Sequence, residues 1–503
     1  MTYSLVPTAE SLSDIYSEKI AQRGVRYQKL VEQFEHIYGE KPTFIARAPG
    51  RVNIIGEHID YCGMPVFPMA IELDTLVAVR ANSSTEVRVS NSNSEKYPSF
   101  SFNYSPDDIV FIDSSIHSWG NYFKCGYKGA IESANLTNPV GMDCIVDGHV
   151  PSGAGLSSSS ALVSCTALAT LKANNQDLIQ EQIVNTAVSA ERYVGVNGGG
   201  MDQTCSIMAK QSSAVFIEFY PSLRTTPVRF PKSDPEIAFV VANTFVVSDK
   251  QVTAPVCYNL RVVETRIASL ILAKHLGLTD RPKISGADPL TMKIIMDELF
   301  SEQEVSGENS VATWVERLEK MLEITQSLFG DHPNGYTWEE CADYLGIPVE
   351  EMKNKVHVNR FPVRAERLQL LKRTLHVYSE TLRVVRFRQI CESSDANSQP
   401  LIELGKLMNE SQESCDKLFE CSCPELNELC EIARKNGATG SRLTGAGWGG
   451  CTISMIPADK ADEFIEAVKK EYYEKKFPSM SEEELSDAIF STRPGSGAFI
   501  YYI

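Results

Sequence analysis

Four short stretches of this chain hold residues whose types and spacing could do chemistry. Residues 47–61, RAPGRVNIIGEHIDY, gather two arginines, two carboxylates, an imidazole and an amide within 15 positions. Set between apolar flanks, Glu57, His58 and Asp60 would offer alternating acceptors and donors suited to several hydroxyls of a sugar. The plainer alternative is a surface turn with solvated charges. A metal is the rival ligand, but a single local histidine argues against zinc.

The loop PSGAGLSSSS, residues 151–160, combines small residues, five hydroxyls and a helical pattern immediately behind it. That is a recipe for holding an anion, most often phosphate. No lysine follows its glycines, so the Walker pattern is absent, and Ser158 stands where a Rossmann fingerprint needs its third glycine. An ordinary tight turn with an N-cap is the other reading. In GGGMDQ, residues 198–203, Asp202 follows three glycines. It is either a helix cap or a general base that takes a hydroxyl proton as the bond to phosphorus forms. The glycine loop from Thr444 to Gly450 must approach something closely, either another chain segment or a ligand.

The elements that must position these residues follow from periodicity. Residues 11–39 have a mixed-charge helical pattern with Ile20, Leu30, Phe34 and Ile37 on one stripe, so the folded core is expected to start near residue 20. FIARAPG, TLVAVRA and EVRVSNS read as strands, NYFKCGYKGAIESA as a helix, and GMDCIVDGHV as a strand running into the serine loop and a buried helix. Strands followed by helices predict an α+β architecture. A second strand-rich region starts near Ala214, with helices at 258–275 and 363–390 and a last strand in SGAFIYYI. The expected organisation is a tail over 1–20, a domain over 21–220 and a second over 221–503, with a helical insert at about 280–345.

Composition narrows the classes. The 503 residues carry 48 Lys plus Arg against 65 Asp plus Glu, a formal charge of −17, which argues against nucleic acid or an anionic membrane as partner. The 13 cysteines are an odd, scattered set that reads as reduced thiols. With no basic and apolar leader pattern and no long apolar run, the expected address is the cytoplasm.

Taken together, PGRVNIIGEHIDY, PSGAGLSSSSAL, GGGMDQ and LTGAGWGG, in this order and spacing, resemble the three-motif signature of the GHMP (galactokinase, homoserine, mevalonate, phosphomevalonate) small-molecule kinases over nearly the whole chain. GEHIDY is similar to the sugar-recognition motif of the galactokinase branch. CSCPELNELCEIA, AERLQLLKRTLHVYSET and IDYCGMPVFPMAIELD are further matches to the eukaryotic galactokinases. They are most similar to the N-acetylgalactosamine kinases, where Cys62-Gly63 also replaces the Asn-x-Gly of many galactokinases.

The resemblance implies two α+β lobes with the active site in the cleft between them. It implies Asp202 as the base at the sugar's anomeric hydroxyl, with Arg51 keeping Asp202 ionised and steadying charge on the transferred phosphoryl group. Glu57, His58, Asp60, the backbone near Gly199 and the phenol of Tyr258 would complete the sugar pocket around them. Gly155, Ser157, Ser158 and Ser159 would cradle the phosphates of ATP, with Asn243 and Lys250 touching the nucleotide. Mg2+ would bridge two phosphates, assisted by Ser158 or Ser159 and by Glu191.

The implied reaction is phosphorylation of O1 of galactose, with N-acetylgalactosamine as the alternative acceptor, by a monomer that needs neither nucleic acid nor membrane. A sugar sensor is the remaining alternative, since some fungal relatives bind galactose and ATP yet act on a transcriptional repressor. Those sensors lack a Ser-Ala pair in the phosphate loop, whereas this chain keeps the full run from Ser157 to Ala161 and has Asp202.

Overall fold

The computed structural model of the protein describes residues 4–116, 118–195, 198–233, 235–246, 255–301, 310–358, 362–393 and 399–503. Its first sheet has seven strands in the order Thr8–Ala9, Phe499–Tyr502, Phe44–Ile55, Phe67–Asn82, Gly141–Gly148, Glu86–Asn91, Phe100–Asn103. The strand Phe44–Ile55 is buried at every position, because helices cover both faces of the sheet at its centre. On one face lie Trp119–Ser133, Ser158–Ala173 and Gln180–Ala190; on the other lies Ile20–Tyr38. Small and apolar side chains surround Ser158–Ala173 on nearly all sides, as a helix enclosed by neighbours requires.

The second sheet orders Gly440–Thr444, Cys451–Pro457, Ile237–Asn243 and Ile489–Thr492, all antiparallel. A hairpin, Ala214–Glu218 with Arg224–Val228, lies between the two sheets in sequence. One apolar cluster joins both halves, from Val52 and Phe67 through Val241 and Ile453 to the long helix Leu370–Glu392. Among the described residues, no helix is long and apolar enough to cross a membrane.

Several expectations need correction. Residues 4–20 do not form a tail: Val6, Ala9, Ile15 and Tyr16 are buried, and Thr8–Ala9 pairs with Phe499–Tyr502. Ile20 and Ile37 are exposed, near the two ends of the helix Ile20–Tyr38, and its buried stripe is Tyr27, Leu30 and Phe34. The last strand belongs to the first sheet, so the C-terminal half ends inside the N-terminal one. The long helix runs Leu370–Glu392, after an irregular stretch before it. The described residues of 280–345 include the helices Pro282–Ser285, Met292–Leu299, Val311–Phe329 and Trp338–Leu345, and Val349–Lys355 follows them. Residues 302–309, within the expected insert, lie outside the described residues.

Candidate active site

Arg51 is the hub. Its Nε donates to Asp202 Oδ1 at 2.7 Å and its Nη1 to the carbonyl of Gly155 at 2.6 Å, so one guanidinium ties the candidate base to the serine loop. The strand ladder breaks between Pro49 and Arg51, a bulge of the kind that re-aims a side chain. Burial alone would lower the Arg51 guanidinium, but Asp202 and Glu57 outweigh it and hold it above its ordinary value. Asp202 is not a cap: Gly200 is the N-cap of the helix Met201–Met208, and Asp202 sits in its first turn with its carboxylate on Arg51.

Asp60 is half-buried and accepts from the backbone N–H of Gly199 at 3.1 Å. Gly199 has no room for a side chain, since a Cβ there would lie 2.5 Å from Asp60 Oδ2. Burial, then the neighbouring Asp202 charge, pushes the Asp60 carboxyl up to about 6 against the pull of two backbone N–H groups and Arg51. His58 is buried and holds the left-handed conformation at φ 63°. Its Nε2 lies 2.9 Å from the Ala446 carbonyl, which can only accept, so Nε2 carries the proton, and in the neutral ring Nδ1 accepts from the Tyr61 hydroxyl at 3.0 Å. Phe419, Trp448, Tyr258 and Tyr61 surround the imidazole with ring centroids 4.9 to 5.9 Å away. Tyr258 starts the helix Tyr258–His275, and burial with nearby Asp60, Asp202 and Glu191 keeps its phenol well above its ordinary value.

Glu57 lies deeper than its neighbours. Its carboxylate accepts from Arg442 Nη1 at 2.9 Å, from the Gly445 N–H at 2.6 Å and from Asn53 Nδ2. Burial pushes it up to about 7 even so, against Arg442, Arg51 and the Gly445 N–H. The plainer alternative, a surface turn with solvated charges, therefore gives way to a largely buried turn.

In the serine loop, Ser157 is left-handed at φ 62° and caps Ser158–Ala173 without any side-chain bond. Its hydroxyl is buried with no hydrogen-bond partner, while Ser158 and Ser159 are half-buried. An uncapped helix start beside an unused hydroxyl is suited to an anion. The glycine loop of residues 445–450 packs on this loop: a Cβ on Gly445 would meet the Gly155 carbonyl at 2.5 Å. Close approach of two chain segments thus accounts for its glycines. His58, Ser157, Glu420 and Trp448 all hold left-handed conformations around this one place, and such strain persists where the surroundings over-determine it, commonly at functional sites.

Glu191 is buried at the end of Gln180–Ala190, close enough to Tyr258 to raise it. Asn243 ends its strand, with Oδ1 accepting from the Phe245 N–H at 2.9 Å and its carbonyl from Tyr473. Lys250 lies outside the described residues. Sequence reasoning assigned no role to Phe419, Trp448, Arg442, His376 or Glu380. The one signal available for the last two was a histidine and a glutamate four apart within a helical apolar pattern.

Residues 32–81 match the galactokinase galactose-binding signature, 121–210 the GHMP kinases N-terminal domain and 394–474 the GHMP kinases C-terminal family. Galactokinase of Dictyostelium discoideum is 41% identical over 99% of this chain and 98% of its own. Galactokinase of Schizosaccharomyces pombe is 38% identical over 98% of each. Among solved structures, Lactococcus lactis galactokinase complexed with galactose superposes with a TM-score of 0.67, covering 94% of this chain and 99% of that one at 23% identity. A mevalonate kinase superposes with a TM-score of 0.50 over 90% of this chain and 99% of its own, at 15% identity. These structural likenesses speak for the fold, a two-lobed α+β kinase fold of the GHMP type. By full-length relatedness and by the signature over its sugar-type turn, the chain belongs to the galactokinase family of the GHMP kinases.

Proposed function

We propose that this protein is a galactokinase that transfers the γ-phosphoryl group of ATP to O1 of galactose, giving galactose 1-phosphate. The observation that carries the reading is Arg51, which holds Asp202 with one nitrogen and the serine loop with another. A base and a phosphate cradle fixed by one rigid guanidinium are what an in-line phosphoryl transfer needs, since most of its catalysis is positioning and charge stabilisation.

In this reading Asp202 accepts the proton from the anomeric hydroxyl while Arg51 keeps it ionised. Asp60 holds sugar hydroxyls beside Tyr258 and the Gly199 backbone, His58 joins it by exchanging its bond from the Tyr61 hydroxyl for one from the sugar, and Glu57, already accepting three bonds, contributes from below. Gly155, Ser157, Ser158 and Ser159 hold the phosphates, and Asn243 and Lys250 are the proposed nucleotide contacts. Mg2+ asks for hard oxygen ligands, few of them from protein, and the buried carboxylate of Glu191 with the Ser158 or Ser159 hydroxyl is a donor set of that kind. When bound, Mg2+ would neutralise charge on the β and γ phosphates.

A monomeric enzyme is part of this proposal. No disulfide joins the cysteines among the described residues, in keeping with a cytoplasmic address. Galactose is favoured over N-acetylgalactosamine because the curated full-length relatives are named galactokinases. The test is ADP release from Mg-ATP with galactose, N-acetylgalactosamine, glucose and mevalonate at matched concentrations. Turnover with galactose is expected; galactose binding with no turnover would move the protein to the sensor class.

A further inference from the structure

The turn that carries His58 and Asp60 is gripped from behind by a helix of the other half of the chain. Along Leu370–Glu392, His376 and Glu380 stand four residues apart, on one helix face, and both are fully buried. Glu380 Oε1 accepts from the Gly56 N–H at 2.8 Å, and His376 Nε2 lies 3.0 Å from the Glu57 carbonyl. We propose that His376 and Glu380 are positioning residues for the sugar, which together hold the Gly56–Glu57 peptides and so fix the turn from which His58 and Asp60 reach the substrate. The inference rests on the galactokinase reading and deepens it, because it names what keeps the sugar-binding turn in place.

The hydrogen bonding assigns the protons. The Glu57 carbonyl can only accept, so His376 carries its proton on Nε2, and Nδ1 accepts from the Ser414 hydroxyl at 2.8 Å. Burial pulls this imidazole down to about 4, so the neutral ring is the working form near neutral pH. Glu380 is held in turn by Ser411 at 2.6 Å and by Arg383 at 2.8 Å, with Arg442 3.9 Å away. His376 also packs tilted against Phe419 with ring centroids 4.4 Å apart, and Phe419 lies against His58 at 4.9 Å. One histidine thus touches the backbone of the turn directly and its imidazole through a single ring. Buried polar groups with every bond satisfied define one geometry and resist alternatives.

The test is steady-state kinetics on full-length His376→Phe and His376→Gln. Phenylalanine keeps the ring and loses the donor, whereas the glutamine amide can place a donor near the Nε2 position. His376→Phe is expected to raise the galactose KM by about ten- to hundredfold, leaving the ATP KM within about twofold. His376→Gln should recover most of the loss. If His376→Phe cannot be recovered folded, His376→Met, which also lacks the donor, takes its place. Unchanged galactose KM, or equal losses toward ATP and galactose without rescue by glutamine, would overturn the proposal.

Wild-type protein separates this test from the galactokinase reading. Should wild type release no ADP with galactose, that reading falls, and hydrogen exchange then judges the grip itself. His376→Phe must speed exchange across residues 55–62 and leave 152–160 unchanged; unaltered exchange at 55–62 rejects it.

Discussion

Arg47 and Arg51 stand four residues apart on one strand, and each meets an aspartate, at 2.6 and 2.7 Å. Arg47 and Asp74 are both completely buried, and Asp74 also accepts from Arg26 and from the Tyr16 hydroxyl, each at 2.6 Å. Arg51 is nearly as buried as Arg47, but the side chain of its partner Asp202 is 27% exposed. Burial of the acid, and not the ion pair, separates the two. Asp74 is sealed from solvent with three donors on its carboxylate, whereas the Asp202 carboxylate is exposed enough for a substrate to reach.

Replacing each aspartate sharpens this contrast. Asp202→Asn should lower kcat by about a hundred- to ten-thousandfold, the range of a lost general base, with galactose affinity and melting temperature close to wild type. Coupled ADP release with calorimetry of galactose binding reads this, and a variant that keeps most of its kcat removes Asp202 from the reaction. Asp74→Asn should do the reverse, costing about 3–5 kcal/mol by leaving buried cations short of their partner. The loss is read as a lowered urea midpoint, while the folded fraction keeps its galactose KM. A near-normal midpoint would make the two pairs equivalent.

Acidity separates the two regions again. Arg26 and Arg47 hold the Asp74 carboxyl well below its ordinary value of 3.8 in spite of its burial, so its stabilisation is complete above that value and is lost as pH falls further. Asp60 moves the other way, to about 6, through burial and the Asp202 charge. Galactose affinity should therefore weaken as pH falls through 6 and Asp60 takes up a proton, while the fold persists to much lower pH. Asp202→Asn removes the neighbouring charge and should shift that acid limb downward, seen by calorimetry between pH 5 and 7. A limb that stays in place would mean the two carboxylates do not sense each other.

The smallest effect belongs to Ser157. Its hydroxyl has no partner in the fold, so Ser157→Ala should change stability by less than about 0.5 kcal/mol. Because Ser157 is the N-cap of the helix behind the proposed phosphate cradle, the ATP KM should still rise a few fold. An unchanged ATP KM would take Ser157 out of the cradle.

Much of this was legible along the chain. The strands around residues 44–55 and 75–81, the helix at 258–275 and the helix behind the serine loop follow from local apolar periodicity, which a single segment carries within itself. The sugar-type turn and the serine loop stood out because charged or hydroxylic residues clustered among glycines. The N-terminal strand did not, nor did the place of the last strand, read in SGAFIYYI, beside it and beside Phe44–Ile55, since partners more than 400 residues away in the chain leave no local pattern. Likewise, no local pattern tells that Arg47 meets Asp74 while Arg51 meets Asp202.

The sequence by itself determined which residues can do chemistry here: Asp202 behind its glycines, Arg51 and the run from Glu57 to Asp60, and the hydroxyls before a buried helix. Only the tertiary structure decided which of them are free to do it. Glu57 is bound from below by Arg442 and Gly445, His58 is framed by Phe419 and Trp448, and the turn between them is held by His376 and Glu380. The physical reason is that donors and acceptors are local properties of a residue, whereas desolvation and the saturation of hydrogen bonds depend on chain segments hundreds of residues away.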